Sequence, residues 1–174
     1  MPTFEEQIQG AALLALIVTR MGKLVGRLRV QKLMYLLQQT GAEPAQPFFF
    51  QYHHYGPFSF DVADVINGSV RSRIVVELED GDDDGWKRYE YRPAEDAEKY
   101  AARLDPASRA LVEQVLAVCK DAHWRTLELA ATADFLARAD QLDRDTAFRD
   151  AIERKPQCAR YEPEARRLLD ALGL

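Results

Sequence analysis

The chain has 174 residues, of which 47% are hydrophobic and 29% charged, and a net charge of −5 at pH 7. This length suits one domain and buries about 70% of the unfolded surface, so folding requires neither a disulfide nor a metal. Cys119 and Cys158 form no ligand cluster and no paired framework, which predicts free buried thiols in a reducing cytoplasm. The apolar run Leu13 to Val18 is too short to span a bilayer, and no signal cleavage site follows it. We therefore expect a soluble cytoplasmic protein without membrane contact.

The negative charge is concentrated in one segment. Residues 77–98 carry ten acidic and three basic residues, a balance of −7. Residues 1–60 have a balance of +2, and residues 99–174 carry thirteen of each sign. The acidic excess of residues 77–98 therefore influences which partners the protein attracts.

The first part of the chain predicts two helices. Thr3 and Glu6 have the spacing of a capping box, and apolar residues at helical intervals follow them as far as a stop at Gly22. After a short basic connector, a second helix is expected over about residues 28–40. Its core side chains are predicted to be Leu33, Leu36 and Leu37.

An aromatic segment comes next. Phe48 to Tyr55 is short and rich in aromatic residues, which favours one strand, and Gly56-Pro57 is expected to break it. Ser59 stands directly before an apolar-periodic stretch. It is therefore predicted to cap a helix from about Phe60 to Ser72.

The rest of the chain predicts a hairpin and then helices only. Two strand-like runs, Ile74–Glu79 and Trp86–Arg92, flank a tip rich in turn-forming residues, Asp80–Gly85. The predicted helices that follow are Ala94–Leu104, one that opens at Asp105-Pro106, Trp124–Ala139, Asp145–Arg154 and Pro163–Leu172.

This order of elements predicts a mainly α fold with a small β-hairpin, of the α+β class. Three helices followed by a two-stranded hairpin is the order of a winged-helix unit, with an extra strand before the third helix. We expect a single domain over residues 1–174. It would consist of a winged-helix-like core (residues 1–93, hairpin 74–92) followed by a C-terminal helical bundle (residues 94–174).

Several short motifs resemble one protein family. Arg29-Val30-Gln31-Lys32-Leu33-Met34-Tyr35-Leu36 is similar to the leucine-glutamine-lysine-leucine-x-tyrosine-leucine helix of the Panacea domain group. Tyr55-Gly56-Pro57 before Ser59 resembles the tyrosine-glycine-proline turn of that group. Leu127-Glu128-Leu129-Ala130-Ala131-Thr132 and Lys155-Pro156 are similar to stretches of its YwgA-like branch. The group also includes SocA-like antitoxins and phage-associated GepA proteins.

The resemblance implies binding rather than catalysis. Members with known roles neutralise toxins by direct contact or act as adaptors that present a toxin to a protease, and no catalytic residues or cofactor come with the family. Tyr35 is expected to bridge its helix to the Tyr55-Gly56-Pro57 turn, with its hydroxyl satisfied by backbone. A positive φ at Gly56 would make Gly56→Ala destabilising.

The residues that suggest chemistry have simpler explanations. Adjacent strand residues point to opposite faces, so His53 and His54 do not readily ligate one ion, and one is expected to pack while the other is exposed. Ser59 follows a Gly-Pro turn near these histidines, but helix capping accounts for it and no nucleophile-elbow pattern surrounds it. We therefore expect no catalytic residue, no metal site and no cofactor.

A winged-helix DNA-binding transcription regulator is the alternative function. A basic cluster is available for phosphates, but it lies before and within the second helix. The third helix begins with Asp61 and Asp64, and the hairpin tip is acidic, which repels a nucleic-acid backbone. The residues of the basic cluster are Lys23, Arg27, Arg29 and Lys32.

The sequence therefore predicts a non-enzymatic bacterial protein-interaction domain. Its expected partner is a protein, a toxin or a phage-related protein, held by the hairpin and the neighbouring turn. Tyr89 and Tyr91 share one strand face and would either pack on the C-terminal helices or belong to the binding surface. The candidate partner-binding residues are Tyr55, Gly56, Pro57, Asp82, Asp83, Asp84, Trp86, Tyr89 and Tyr91.

Overall fold

The structure is a computed structural model that describes residues 1–81 and 87–174. Helices account for 65% of residues and strands for 12%, which confirms a mainly α protein with small antiparallel sheets. Within the two described ranges, no helix combines the length and apolarity that crossing a bilayer requires. The elements in chain order are α1 (Phe4–Met21), β1 (Leu24–Val25), α2 (Arg27–Gln39), β2 (Gln51–His53), β3 (Gly56–Phe58), α3 (Phe60–Arg71), β4 (Val75–Gly81), β5 (Lys87–Pro93), α4 (Ala97–Ala101), α5 (Pro106–Cys119), α6 (Trp124–Ala139), α7 (Arg144–Arg154) and α8 (Glu162–Leu172), with 3-10 helices at Glu43–Ala45 and Pro156–Tyr161.

Three helices form the centre of the molecule. Each has a long stretch in which every residue is buried: residues 12–18 of α1, 30–37 of α2 and 126–134 of α6. Helices buried on all sides must satisfy any polar side chain internally, because water does not reach them. The buried hydrophobic residues form one continuous cluster that runs from α1 to α8 and includes the predicted core residues Leu33, Leu36 and Leu37.

Local capping signals in the sequence agree with the structure. The Thr3 hydroxyl accepts from the Glu6 amide, and the Glu6 carboxylate accepts from the Thr3 amide, so the predicted capping box begins α1. The Ser59 hydroxyl accepts from the Val62 amide at the start of α3. The predicted limits of α6, Trp124 and Ala139, are those observed.

The main sheet has three strands rather than the predicted two. Leu24 and Val25 form β1, which pairs antiparallel with β5, and β5 pairs antiparallel with β4, so the strand order is β1-β5-β4. From the sequence, Leu24 and Val25 were expected to belong to a basic connector. Two residues are too few to produce an alternating pattern, so only the pairing with β5 reveals this strand.

The aromatic segment also differs from its prediction. Phe48–Tyr55 was expected to be one strand broken by Gly56-Pro57. Instead β2 is limited to Gln51–His53, and Gly56–Phe58 forms β3, which pairs antiparallel with β2 across a two-residue turn. Gly56 has φ +87°, a conformation that glycine adopts without strain, and it allows the chain to reverse where the sequence suggested only a break. We call β2, β3 and the turn between them the small hairpin.

The helix predicted over Ala94–Leu104 is shorter in the structure. Only Ala97–Ala101 is α-helical, with no side-chain cap at its N-terminus. Asp105 is extended (φ −63°, ψ 156°), as a residue directly before proline prefers, so no helix continues through it. The Asp105 carboxylate then accepts from the amides of Ala107 and Ser108 and begins α5.

Candidate functional site: the small hairpin and its buried support

The small hairpin is attached to the core by side chains of α2. Lys32 is buried, and its Nζ donates to the Pro57 carbonyl at 2.7 Å. The Gln31 amide pairs with both backbone groups of Ser59: Nε2 donates to the carbonyl and Oε1 accepts from the amide, each at 2.9 Å. The Gln-Lys pair of α2 therefore sets the position of the backbone on either side of Phe58.

A second attachment comes from the C-terminal half. Lys155 is buried, and its Nζ donates to the His54 carbonyl at 2.8 Å and to the Glu128 carboxylate of α6 at 3.0 Å. The same carboxylate accepts from Arg125 at 3.3 Å and lies 3.5 Å from the Cys158 thiol. We call Lys32, Glu128 and Lys155 the buried ionic cluster; it joins α2, α6 and the small hairpin.

The buried ionic cluster contains two lysines and one carboxylate. Glu128 pairs with Lys155 at 3.0 Å, whereas Lys32 makes its hydrogen bond to a neutral carbonyl. Burial, with a further contribution from the positive charge of Lys155, lowers the pKa of Lys32 from about 10.5 to about 7. Near neutral pH Lys32 therefore exchanges its proton.

Tyr35 has a different partner from the one predicted. Its hydroxyl donates to the Asp134 carboxylate of α6 at 2.7 Å, and Asp134 also accepts from Arg138 at 2.9 Å. The prediction that Tyr35 meets the hairpin backbone was wrong, because Lys32, one turn earlier, occupies that position. The Tyr35 ring instead packs edge-on against Phe50, with 5.3 Å between centroids.

Gly56 is in direct contact with α6. A Cβ at this position would overlap the Thr132 hydroxyl and lie 3.3 Å from the Thr132 Cβ. The Thr132 hydroxyl is held in place because it donates to the Glu128 carbonyl at 2.7 Å. The positive φ and this close approach both require glycine at position 56.

The outer side of the small hairpin carries aromatic side chains. Phe49 and Phe60 are 71% and 62% exposed, and Tyr55, His53 and His54 are also exposed. Ring contacts connect four aromatic side chains: His54 to His53 at 4.9 Å, His53 to Phe58 at 5.4 Å and Phe58 to Phe60 at 5.2 Å. The Phe49 amide donates to Asp61, which brings Phe49 next to the start of α3. We call Phe49, His53, His54, Tyr55, Phe58 and Phe60 the aromatic surface.

Both histidines are exposed, so the expectation that one would pack was wrong. His54 lies in the turn rather than on the strand, and strand alternation does not apply to it. His53 rests its ring on the partly buried Phe58 instead of entering the core. In the part of the chain that the structure describes, no three His, Cys, Asp or Glu side chains are grouped as a metal site would require.

The candidate nucleophiles occupy structural positions. Ser59 is buried and caps α3. Both cysteines are buried and free; burial raises the pKa of Cys119 to about 12, and burial with the adjacent Glu128 raises the pKa of Cys158 to about 11. The cavity beside Lys32 and Glu128 measures about 10 Å³, which is enough for roughly one water molecule.

The four basic residues of the nucleic-acid alternative do not form one open patch. Lys23 pairs with Glu90 at 2.9 Å, and Arg27 pairs with Glu77 at 3.0 Å and stacks on Tyr89. Arg29 donates to the carbonyls of Lys120 and Ala122, and Lys32 is buried. Each of these cations already has an acceptor within the protein.

The residues predicted for partner binding fall into separate groups. Tyr55 is exposed, whereas Gly56 and Pro57 are buried beneath it. Tyr91 is fully buried, and its hydroxyl donates to Glu77 at 2.6 Å, so it supports the sheet and offers no surface. Tyr89 is half-buried under Arg27. Asp82, Asp83, Asp84 and Trp86 lie outside the described residues.

Sequence patterns did not predict the buried ionic cluster, although Lys32, Glu128 and Lys155 all belong to the motifs that resemble the family. The available signal was polarity in apolar surroundings: Glu128 lies within the run Leu127–Ala133, and Lys32 within Val30–Leu37. Charged residues at such positions are buried only when they are paired or hydrogen-bonded. That signal identifies Glu128 and Lys32, but neither Lys155 nor the hydrogen-bond partners.

Comparison with known proteins adds no assignment: no protein-family model matches the chain, and a search of curated proteins finds no relative.

We predict that Gly56→Ala is strongly destabilising. Alanine at φ +87° costs about 1–2 kcal/mol, and the overlap with Thr132 adds to this, so the free energy of unfolding should fall by more than about 2 kcal/mol. Two controls separate these effects in urea denaturation. Gly41→Ala (φ +91°, open space) should lose only the conformational part, and the helical Gly68→Ala should be neutral or stabilising by up to about 1 kcal/mol. Equal losses at positions 56 and 41 would contradict close packing against α6.

We predict that Lys32 makes stability increase with pH. Between about pH 7 and 10.5 the unfolded chain keeps a proton that native Lys32 has released. The free energy of unfolding therefore rises, by at most about 1.4 kcal/mol per pH unit, and this contribution is constant below about pH 7. Urea denaturation at pH 7 and pH 9 should show a larger gain for the wild type than for Lys32→Met. Lys120→Met, which removes an exposed lysine, should follow the wild type; parallel curves for all three proteins would refute the assignment.

Proposed function

We propose that this protein is a non-enzymatic partner-binding protein of the Panacea type, closest to its YwgA-like branch, and that the aromatic surface is its binding site. One observation carries the proposal: exposed aromatic side chains stand on a backbone whose carbonyls are hydrogen-bonded to the buried Lys32 and Lys155. Exposed aromatic residues in one contiguous patch are typical of protein-binding sites. The family resemblance supports an antitoxin or a proteolysis adaptor whose partner is a toxin or a phage-related protein.

The buried support suits this function. Buried side chains hold the backbone of the hairpin and of the residue that follows it. The carbonyls of His54, Pro57 and Ser59 accept hydrogen bonds from these side chains, and the Ser59 amide donates to one of them. A hairpin of two short strands is only marginally stable by itself. Fixing its backbone before binding removes part of the entropy cost of association, so a small aromatic patch can contribute more affinity.

The arrangement of residues 1–93 supports a winged-helix-like core. In winged-helix domains a strand between the first two helices pairs with the last strand of the hairpin, as β1 does with β5. The small hairpin occupies the connection between α2 and α3, where a DNA-binding winged helix has a short turn. We therefore propose a winged-helix-like scaffold that has been adapted to bind a protein.

We predict that the aromatic surface is required for partner binding. Tagged wild-type protein, expressed in its host together with the products of neighbouring genes, should enrich a specific partner. Phe49→Ser/Phe60→Ser should bind that purified partner at least tenfold more weakly in titration calorimetry, because each lost aromatic contact costs about 1–2 kcal/mol. Since both side chains are exposed, the thermal midpoint should change little.

The matched control is Val118→Ser, which removes an exposed apolar side chain from α5, away from the aromatic surface. It should bind as the wild type does. Unchanged affinity of the double variant, or the absence of any specific partner, would reject the proposed site.

We also predict no salt-dependent binding to duplex DNA. The exposed positions of α3, the helix that would enter a groove, are Phe60, Asp64, Asn67 and Arg71, which together carry no net positive charge. A mobility-shift assay at low salt should give no retarded complex. A complex that dissociates with added salt and weakens in Arg71→Ala would instead favour the transcription regulator.

A further inference from the structure

The outer edge of the three-stranded sheet is a second candidate surface. The strand order β1-β5-β4 places β4 at an edge, since within the described residues its strand neighbour is β5. β4 is seven residues long, Val75–Gly81, which is enough for several backbone hydrogen bonds to an added strand. This edge belongs to a different sheet from the small hairpin.

The orientation of the backbone groups follows from the bonds on either side of β5. The Gly26 amide donates to the Tyr89 carbonyl at 2.8 Å, so the backbone groups of Tyr89 point toward β1. The Ala94 amide donates to the carbonyl of Ile74, the residue before β4. The backbone groups of Val76 and Leu78, two and four positions later, therefore also point toward β5. The amides and carbonyls of Val75, Glu77 and Glu79 therefore point away from the sheet. Among residues 1–81 and 87–174 they have no backbone hydrogen-bond partner.

The side chains of β4 alternate in a way that complements these groups. Val76 and Leu78 are 42% and 43% exposed on one face, although both are apolar. Glu77 and Glu79 lie on the other face, where Glu77 bonds to Arg27 and Glu79 to Lys87. An open backbone edge with exposed apolar residues is a template for β-strand addition.

The charge of this edge decides which strand it accepts. A second copy of the chain is disfavoured: two-fold antiparallel pairing centred on residue 77, 78 or 79 places Glu77 or Glu79 opposite a glutamate of the other copy. β4 itself carries three acidic residues and no basic residue. This charge disfavours pairing with a second copy and favours a cationic segment.

We propose that β4 binds, as an added strand, an extended segment of another protein in which apolar residues alternate with Lys or Arg. The apolar residues would cover Val76 and Leu78, and a basic residue would face Glu79, whose side chain and whose partner Lys87 are both exposed. The backbone of the segment would fill the open amides and carbonyls of Val75, Glu77 and Glu79. This surface is independent of the aromatic surface and adds a second contact region to the molecule.

The test uses a fluorescein-labelled peptide of alternating valine and lysine, measured by fluorescence anisotropy with the full-length protein. We expect saturable binding. A peptide of the same sequence with alternate backbone nitrogens methylated should bind at least tenfold more weakly, because it lacks half of its donors. Equal binding of the two peptides would mean charge attraction alone and would overturn the proposal, as would the absence of binding.

Variants of the protein locate the site. Glu79→Pro removes an amide that points away from β5 and should weaken binding at least tenfold, whereas Glu79→Gln keeps the amide and should lose less. Val76→Thr/Leu78→Thr should also weaken binding. Its thermal midpoint, compared with that of the wild type, shows that the variant is folded. Phe49→Ser/Phe60→Ser should bind the peptide as the wild type does. Unchanged affinity in both Glu79→Pro and the threonine variant, or dimerisation of the wild type through β4, would reject the assignment.

Discussion

The ion pair between Lys155 and Glu128 is the interaction on which the arrangement of this protein depends. Glu128 projects from the central helix α6, and Lys155 precedes the 3-10 helix that leads into α8. Because Lys155 also donates to the His54 carbonyl, one buried ammonium joins the C-terminal helices to the small hairpin, which is 101 positions earlier in the chain. Removing either partner would leave an unpaired charge in the core, which costs about 3–5 kcal/mol.

A buried ionic cluster is a poor source of stability, because desolvation offsets most of its Coulombic gain. Its contribution here is positional. Lys32 of α2 and Lys155, which directly follows α7, bind different carbonyls of the small hairpin, and Gly56 allows the turn to contact Thr132 directly. Glu128 pairs with Lys155, and Lys32 bonds to a carbonyl instead. Loss of the Lys32 proton near neutral pH therefore removes the cost of burying its charge. The backbone of the small hairpin is thus positioned by the core, while its outward side chains stay exposed.

The two surfaces that we propose as binding sites both lie on sides that do not pack on the helices. The sheet and the small hairpin each have one side that packs on the helices and one side that does not. The basic residues of the nucleic-acid alternative instead hold elements together. Arg27 connects α2 to β4 through Glu77, and Arg29 donates to the carbonyls of Lys120 and Ala122, directly after α5. The exposed residues are aromatic on the small hairpin and apolar (Val76 and Leu78) on the outer face of β4.

Local features of the chain were determined by the sequence itself. Capping residues Thr3, Ser59 and Asp105, the limits of α6 and the apolar positions of α2 depend on neighbours within a few residues, so pattern and spacing reveal them. Tertiary structure alone decided β1, the strand Gly56–Phe58, the burial of Tyr91 and the partner of Tyr35, which is 99 positions away. The motifs marked the residues of the buried ionic cluster, but hydrogen bonds between distant segments leave no local periodicity. Their geometry exists only once α2, α6 and the small hairpin have packed together.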